Sequence, residues 1–373
     1  MTLAVCCGKT RRSPSGGRWI IRSSRLRTPR TQRWTSTFDE TNAKGSLRPW
    51  HLFCGQAGVA GPAANPAHSE AKRRGWPWST RAMKILVTGA GGQVGTEMAR
   101  LAGDGLEVVG LTRRDLDVTD PRAIAFRLDE HKPDLVVNCA AYTAVDRAED
   151  EAALAYRVNA DAVGWLGEAC DDRDVGVVHF STDYVFDGTK DGPYTEDDTP
   201  NPLNVYGVSK LEGENRLREA TDRHLILRVS WVFGRIGRSF VDTILRLACE
   251  RDELTVVDDQ IGAPSPAEAI ARTIRAIAEH PGLDNAWGTY HLSSTPTVSW
   301  CGFAREIVAM ATGLGVLPTM PRVRGVATEH SSSRARRPLN SRLCGAKLTN
   351  ALGIAPSTWR TSLREYLGGA GAS

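Results

Sequence analysis

Two short stretches of this chain hold the residue types that carbonyl chemistry needs. The first is Ser181-Thr182-Asp183-Tyr184-Val185-Phe186, and the second is Tyr206-Gly207-Val208-Ser209-Lys210. Residues four apart lie on one face of a helix, so Tyr206 and Lys210 point the same way if the second stretch is helical. A lysine ammonium beside a phenol favours the phenolate and draws its pKa down from about 10. Tyr206 then becomes a usable proton donor near neutrality. The reaction that needs such a pair is reduction of a carbonyl: hydride reaches the carbon while Tyr206 protonates the oxygen. Thr182 would hydrogen-bond that oxygen, and Lys210 would also hold the ribose of a nicotinamide. Tyr-x-x-x-Lys alone arises often from a Tyr packed beneath a Lys stem. Its order behind a strand-end Ser-Thr and a glycine loop makes it specific.

That loop is Thr88-Gly89-Ala90-Gly91-Gly92-Gln93-Val94-Gly95. It follows an apolar run and leads into a helical one, the setting in which a pyrophosphate rests on backbone N–H groups at a helix start. Gly89, Gly92, Gln93, Val94 and Gly95 are therefore read as cofactor-binding, the alternative being a merely structural turn. After the second strand the chain reads Leu111-Thr112-Arg113-Arg114-Asp115. No acid stands where a ribose 2′-hydroxyl would be read, and Arg113 suits a 2′-phosphate, which favours NADPH while leaving NADH open. The plain alternative is a solvated basic loop. Asp117 and Val118 are placed at the adenine, and Ala141, Tyr142 and Thr143 along the cofactor's ribose and phosphates.

Short Val/Ile/Leu runs alternate with helical stretches from Met83 onward, as parallel strands covered on both faces require. Strands are expected at KILVTG, LEVVGL, DLVVNCA, VGVVHFST and HLILRVSW. Helices are expected over Gln93–Leu101, Pro121–His131, Glu151–Cys170 and Val205–Ala220, then Ser239–Arg251, Ala267–His280 and Val298–Thr312. The fold class is α/β: a Rossmann-type doubly wound parallel sheet over 83–230, and a smaller C-terminal lobe over 231–373 that binds substrate and interleaves with it.

Net charge divides the chain. Of 47 Lys+Arg, 15 precede Met83 with only 3 Asp+Glu, so residues 1–82 carry about +12 and the remainder about −8. Clusters such as RRSPSGGR and GPAANPAHSE show no period that would bury a face, so 1–82 is expected to be a disordered basic extension. A targeting peptide and a polyanion-binding tail are both open readings of it. A start codon assigned too far upstream accounts for it best, because Met83-Lys84-Ile85-Leu86-Val87 opens directly as a buried strand. The eight Cys include no Cys-x-x-Cys, and those after residue 83 read as small core residues of a reduced, cytoplasmic protein. There is no run of eighteen apolar residues, so no membrane partner is expected. No nucleic-acid partner is expected either.

The motifs STDYVFDG, PLNVYGVSKLEGE, LRVSWVFG, DDQIGAPS and RRPLNSRL make Met83 to Leu367 resemble the dTDP-4-dehydrorhamnose reductases. The resemblance implies a Rossmann fold, NADPH or NADH, and reduction of dTDP-4-dehydro-L-rhamnose, with the nucleotide sugar as partner and a monomer or homodimer as the working form. It implies Tyr206 as proton donor, Thr182, Asp183 and Trp231 as sugar contacts, and Gly92, Gln93, Val94, Asp117, Val118, Ala141, Tyr142, Thr143, Phe180 and Lys210 as cofactor contacts. Phe180 departs from relatives that carry Tyr there. Arg336 and Arg337 are candidate diphosphate contacts, with Arg337 the preferred one, or else solvated loop charges. Glu97 and Glu268 fall where some relatives hold Mg2+ between subunits, but no full set of oxygen ligands is visible and exposed helical Glu is the better reading. A dehydratase or epimerase shares the Tyr/Lys pair, yet dehydratases resemble one another in Asp-Glu after the strand-end Thr, where this chain has Asp183-Tyr184. A non-catalytic subunit similar to the β subunit of methionine adenosyltransferase is the alternative of a different class.

Overall fold

The computed structural model describes residues 82–370 apart from Asp104, Arg238 and Ser332. The expectation for 1–82 falls, but for Ala82, outside the described residues. The first half runs β1 (Met83–Thr88), α1 (Gln93–Ala99), β2 (Leu106–Leu111), α2 (Pro121–His131), β3 (Leu135–Asn138), α3 (Val145–Ala148) and α4 (Ala152–Tyr156). A π-helical turn, Arg157–Asp161, joins α4 to α5 (Ala162–Asp171), followed by β4 (Gly176–Thr182), α6 (Val205–Ala220) and β5 (His224–Val229). Side chains alternate across β1: Ile85 and Val87 enter a core with Leu225, Leu227, Ile270 and Ile274. Leu86 enters the opposite core with Ile124, Leu128, Val163 and Leu217. A strand buried on both faces must be apolar throughout, which is why the runs were readable.

The sheet has six strands in the order Gly288–His291, β5, β4, β3, β1, β2, with every neighbouring pair parallel. Chain order reverses at β1, whose neighbours are β2 on one side and β3 on the other. The crevice beyond the ends of β1 and β3 is where such a sheet accepts a ligand. The strand Gly288–His291 was not expected, because four residues containing Gly and His carry no apolar run; pairing with β5 defines it.

Local signals set most boundaries. Asp120 caps α2 by accepting from Arg122 N, with Pro121 in the first turn and Lys132 in the left-handed conformation at the end. Asn204 caps α6 by accepting from Gly207 N at 2.8 Å. Past β5 come α7 (Phe240–Glu250), opened by the Ser239/Asp242 capping box, α8 (Ala267–Ala278) and α9 (Trp300–Gly313). Trp359, Leu363 and Leu367 on the C-terminal helix Trp359–Ala370 join Phe303, Ile307 and Ile244 in a separate core. Cys170 and Cys301 are buried as expected, but Cys249 is exposed on α7, so not every later cysteine is a core residue.

The helix expected over Glu151–Cys170 is interrupted by the π turn, whose extra residue brings Asn159 against α6. Contact there is possible only because α6 carries Gly213: a Cβ at that position would lie 2.0 Å from the Asn159 carbonyl oxygen. Gly213→Ala should therefore force two packed elements apart, at a cost of about 1–3 kcal/mol or more, seen as a fall in Tm of roughly 5 °C or more by thermal denaturation. An unchanged Tm would mean that α6 is not pinned at this point.

Candidate active site

The glycine loop turns sharply between β1 and α1. Gly89 has φ of +65°, and a Cβ on it would sit 2.7 Å from Ala140 N, so only glycine fits between the ends of β1 and β3. A Cβ on Gly95 would lie 2.6 Å from Ala90 Cα, which lets α1 start close beneath the loop. Gly92 stands at the start of α1 with no side-chain cap, so the first N–H groups of the helix have no side-chain acceptor at their start. Gln93 Oε1 is buried there without a hydrogen-bond partner. Val118, Ile124, Asn138, Ala140, Val158, Ala162 and Leu166 line one apolar pocket beside the loop.

Arg113 and Arg114 are exposed at the end of β2. The nearby Asp115 carboxylate accepts from Thr112 N and Oγ1 at 2.9 and 2.6 Å, and its remaining charge partners are Arg127 and Arg114. Asp117 is likewise committed to Thr119 N and Oγ1, which with the charges of Arg113 and Arg157 hold it below the usual carboxylate range. Past β3, the backbone of Tyr142 is fixed from both sides by Asn159, which accepts from Tyr142 N at 2.8 Å and donates to Tyr142 O at 3.0 Å. Ala141 and Thr143 flank it, exposed.

The opposite wall comes from β4 and α6. Tyr206 and Lys210 share one face of α6, and the Thr182 hydroxyl at the end of β4 lies against the Tyr206 phenol. Lys210 is 2% exposed; its Nζ donates to the Phe180 carbonyl at 2.5 Å and lies 3.1 Å from His179 Nε2. The electrostatics differ from the expected ones. Tyr206 is pushed up to about 12 by desolvation, with Thr182 opposing and the Asp183 charge adding to the rise. Lys210 does not lower it, because its own nitrogen is drawn to about 8 by burial and is turned toward His179 and Phe180, with only the Glu214 charge opposing. Asp183 is pushed up to about 6 by burial, against hydrogen bonds from Ser341, Thr182 and the backbone, and its Oδ2 has no partner.

Trp231 follows β5 in the left-handed region, φ +48°, stacked on Trp300 with ring centroids 3.6 Å apart. Its carbonyl accepts from Ser265 N at 3.1 Å. Arg337 is not a free charge in the crevice: its two terminal nitrogens donate to Asp146 at 3.1 and 2.8 Å. The Arg336 side chain is exposed while its carbonyl accepts from Asn204 Nδ2 at 2.8 Å. Glu97, buried rather than exposed as expected, pairs with Arg100 at 2.8 Å, and Glu268 pairs with Arg272; no group of three or more His, Cys, Asp or Glu suited to a metal occurs among the described residues. The structure thus gives Mg2+ no support. No helix among the described residues is long and apolar enough to cross a membrane.

Sequence reasoning passed over Asn138, Asn159, His179 and Glu214. Glu214 repeats the four-residue spacing of Tyr206 and Lys210, and His179 is a polar residue inside an otherwise apolar strand. Both are signals that a buried partner must exist.

A parallel sheet with a glycine turn at its switch point and a Tyr/Lys helix facing a strand-end Thr defines a Rossmann-type protein of the short-chain reductase class. The chain belongs to the RmlD substrate binding domain family, whose family model matches residues 83–370. It is similar to the dTDP-4-dehydrorhamnose reductase of Aggregatibacter actinomycetemcomitans, 44% identical over 286 residues that make up 76% of this chain and 97% of that protein. A crystal structure of a dTDP-4-dehydrorhamnose reductase from Clostridium acetobutylicum is 38% identical with a TM-score of 0.71, covering 76% of this chain and 98% of that one. The dTDP-4-dehydrorhamnose reductase of Bacillus anthracis, solved in complex with NADP, is 32% identical with a TM-score of 0.71 over the same shares.

The Asp183 carboxyl supplies a pH test. Its folded pKa, about 6, is raised above the unfolded value of 3.8, so its contribution to stability is fully present below 3.8 and lost as pH rises through 6. Asp183→Asn keeps an oxygen for the Thr182 hydroxyl and removes the titration. The variant should lack a pH-dependent loss of ~3 kcal/mol that the parent shows between pH 4 and 7. Chemical denaturation across that range measures it; parallel stability curves would show that the carboxyl is solvated.

Proposed function

We propose that this chain reduces the 4-keto group of dTDP-4-dehydro-L-rhamnose to dTDP-L-rhamnose with NADPH. The observation that carries the reading is that α6, with Tyr206 and Lys210 on one face, brings the Tyr206 phenol against the Thr182 hydroxyl at the end of β4, two strands along the sheet from β1 and its glycine loop. The loop fits a dinucleotide: Gly89 and Gly95 let the turn close against Ala140 and Ala90 where a Cβ would clash, and the unpartnered Gln93 Oε1 stands at the start of α1. Gly92, Gln93, Val94 and Gly95 would hold the pyrophosphate, with Val118 and Asp117 at the adenine. Tyr142, Ala141, Thr143, Phe180 and Lys210 would line the remainder. Arg113, unopposed by Asp115, would pair with the 2′-phosphate. When bound, NADPH supplies the hydride that reduces the carbonyl carbon.

The chain's own residues supply the proton and the geometry. Tyr206, with its pKa near 12, keeps its proton throughout the neutral range and can give it to the carbonyl oxygen as negative charge develops. Thr182 would hydrogen-bond the same oxygen by turning its hydroxyl proton from Asp183 Oδ1, to which it now donates at 2.9 Å. Asp183 and Trp231 are assigned to the sugar, where the rigid Trp231–Trp300 stack gives a flat apolar wall. Arg337 would contribute only what its bonds to Asp146 leave available.

Tyr206→Phe removes one oxygen and should lower kcat on the order of 10²–10⁴-fold, with NADPH binding nearly unchanged. Steady-state oxidation of NADPH with a panel of nucleotide 4-keto-sugars reads this. A parent enzyme that binds NADPH and reduces none of them would refute the reductase reading. Arg113→Ala should raise KM for NADPH and leave that for NADH in place, whereas equal losses with both would put Arg113 away from the 2′-phosphate.

A further inference from the structure

Behind Lys210 runs a line of buried polar side chains that the reduction itself does not use. Thr88 Oγ1, at the end of β1, donates to Asn138 Oδ1, at the end of β3, at 2.7 Å. Asn138 Nδ2 lies 3.1 Å from His179 Nδ1 in β4, and His179 Nε2 lies 3.1 Å from Lys210 Nζ. Thr88 and His179 are fully buried, and Asn138 and Lys210 are 4% and 2% exposed.

The direction of donation along this line is determined. The backbone N–H of Ala140 can only donate, and it donates to Asn138 Oδ1 at 3.2 Å. The amide oxygen of Asn138 therefore faces Ala140 and Thr88, and its NH2 faces His179. An amide NH2 only donates, so His179 Nδ1 accepts. A neutral imidazole whose Nδ1 accepts carries its proton on Nε2, and that N–H is directed at Lys210. An N–H opposite an ammonium leaves two donors facing each other. The bond closes when Lys210 presents a lone pair, as the amine, which still has hydrogens for the Phe180 carbonyl and beyond.

We propose that His179 is a positioning residue for Lys210: held by Asn138 as the Nε2–H tautomer, it donates to Lys210 Nζ, fixes where that nitrogen sits and weakens its hold on a proton. The charged and titratable groups around Lys210 are Tyr206 and Glu214 on α6, His179 on β4, Asp183 in the turn beyond β4, and Arg228 on β5, which pairs with Glu214. Burial draws the proton affinity of both Lys210 and His179 down, and the Lys210 charge disfavours charging His179, while Glu214 pulls Lys210 the other way. Lys210, drawn to about 8, would thus exchange between ammonium and amine as pH rises past neutrality. The inference rests on Lys210 belonging to the reductase site, but its test does not pass through turnover.

The full chain labelled with 15N-histidine is read by long-range 1H–15N NMR at pH 9, above the value of about 8 to which Lys210 is drawn, with His179→Gln assigning the ring. The expected signature is a protonated Nε2 and an accepting Nδ1; a protonated Nδ1, alone or in a charged ring, would overturn the proposal. Asn138→Asp keeps the shape and replaces the NH2 by an acceptor. It should switch His179 to the Nδ1–H tautomer and raise the pH at which Lys210 loses its proton by about one unit or more, read from the 13Cε shift of labelled lysine. An unswitched ring in the folded variant would also overturn it. Should that variant not fold, the tautomer of the parent protein decides alone. The expected tautomer in a protein that reduces no 4-keto-sugar would defeat the reductase reading and leave this one standing.

Discussion

The buried ion pair between Glu214 and Arg228 sets the frame on which the site depends. Glu214 is 0% exposed and takes two bonds from Arg228 Nε and Nη2, at 2.9 and 2.7 Å, with Arg218 adding a third at 2.6 Å. Burial alone would raise this carboxyl; the Arg228 hydrogen bonds and charge, with Ser181 and Arg218, outweigh it and leave it below the usual range. Such a pair adds little net stability, but breaking it would cost about 3–5 kcal/mol, because one charge would stay behind unpaired. A slip of α6 along β5 would break it. The pair therefore fixes register, and Lys210 and Tyr206 take their positions one and two turns earlier on the same face.

Register at that end is matched at the other. The first turn of α6 is held by Asn204 within the helix and by Glu149, which accepts from Val205 N at 2.9 Å. Gly213 lets the π turn lie against the middle of the helix, and the Asn159 of that turn reaches Ser209 at 3.0 Å and the backbone of Tyr142. One amide thus links the helix that carries the candidate proton donor to the loop that would face the cofactor. A regular α-helix over 151–170 would not place it there, and π turns recur at functional sites for this reason.

The sheet was legible because strands buried on both faces must be apolar, and α2 because Pro121 suits a first helical turn. Tyr206, Lys210 and Thr182 were legible as a set because two of them share a helix face and the third ends a strand. What eluded the sequence depends on distant partners. The strand Gly288–His291 exists only by pairing with β5. Arg337 reads as a free cation until Asp146, 191 residues away, takes it up. The expected lowering of the phenol failed for a related reason: the Tyr/Lys spacing was right, but the environment was not in the motif. Desolvation of Tyr206 exceeds anything Lys210 supplies, because His179 and the Phe180 carbonyl claim its nitrogen.

The later part of the chain is fastened to the same helix start. Asp146, in α3, accepts from Ser333 Oγ, Ala335 N and Arg337, and Asp150 accepts from Arg334. Asn204, which caps α6 with its oxygen, spends its amide nitrogen on the Arg336 carbonyl. A capping side chain that bonds in both directions ties the segment 333–337 to the turn that places Tyr206. Trp231 is held comparably, its strained backbone fixed through Ser265 and its ring through Trp300, both from the later part of the chain. The wall assigned to the sugar and the wall that carries the candidate proton donor are therefore each tied to the later part of the chain. Disturbance at Asp146 or Ser265 would reach the reacting groups through backbone geometry, without any contact to the substrate.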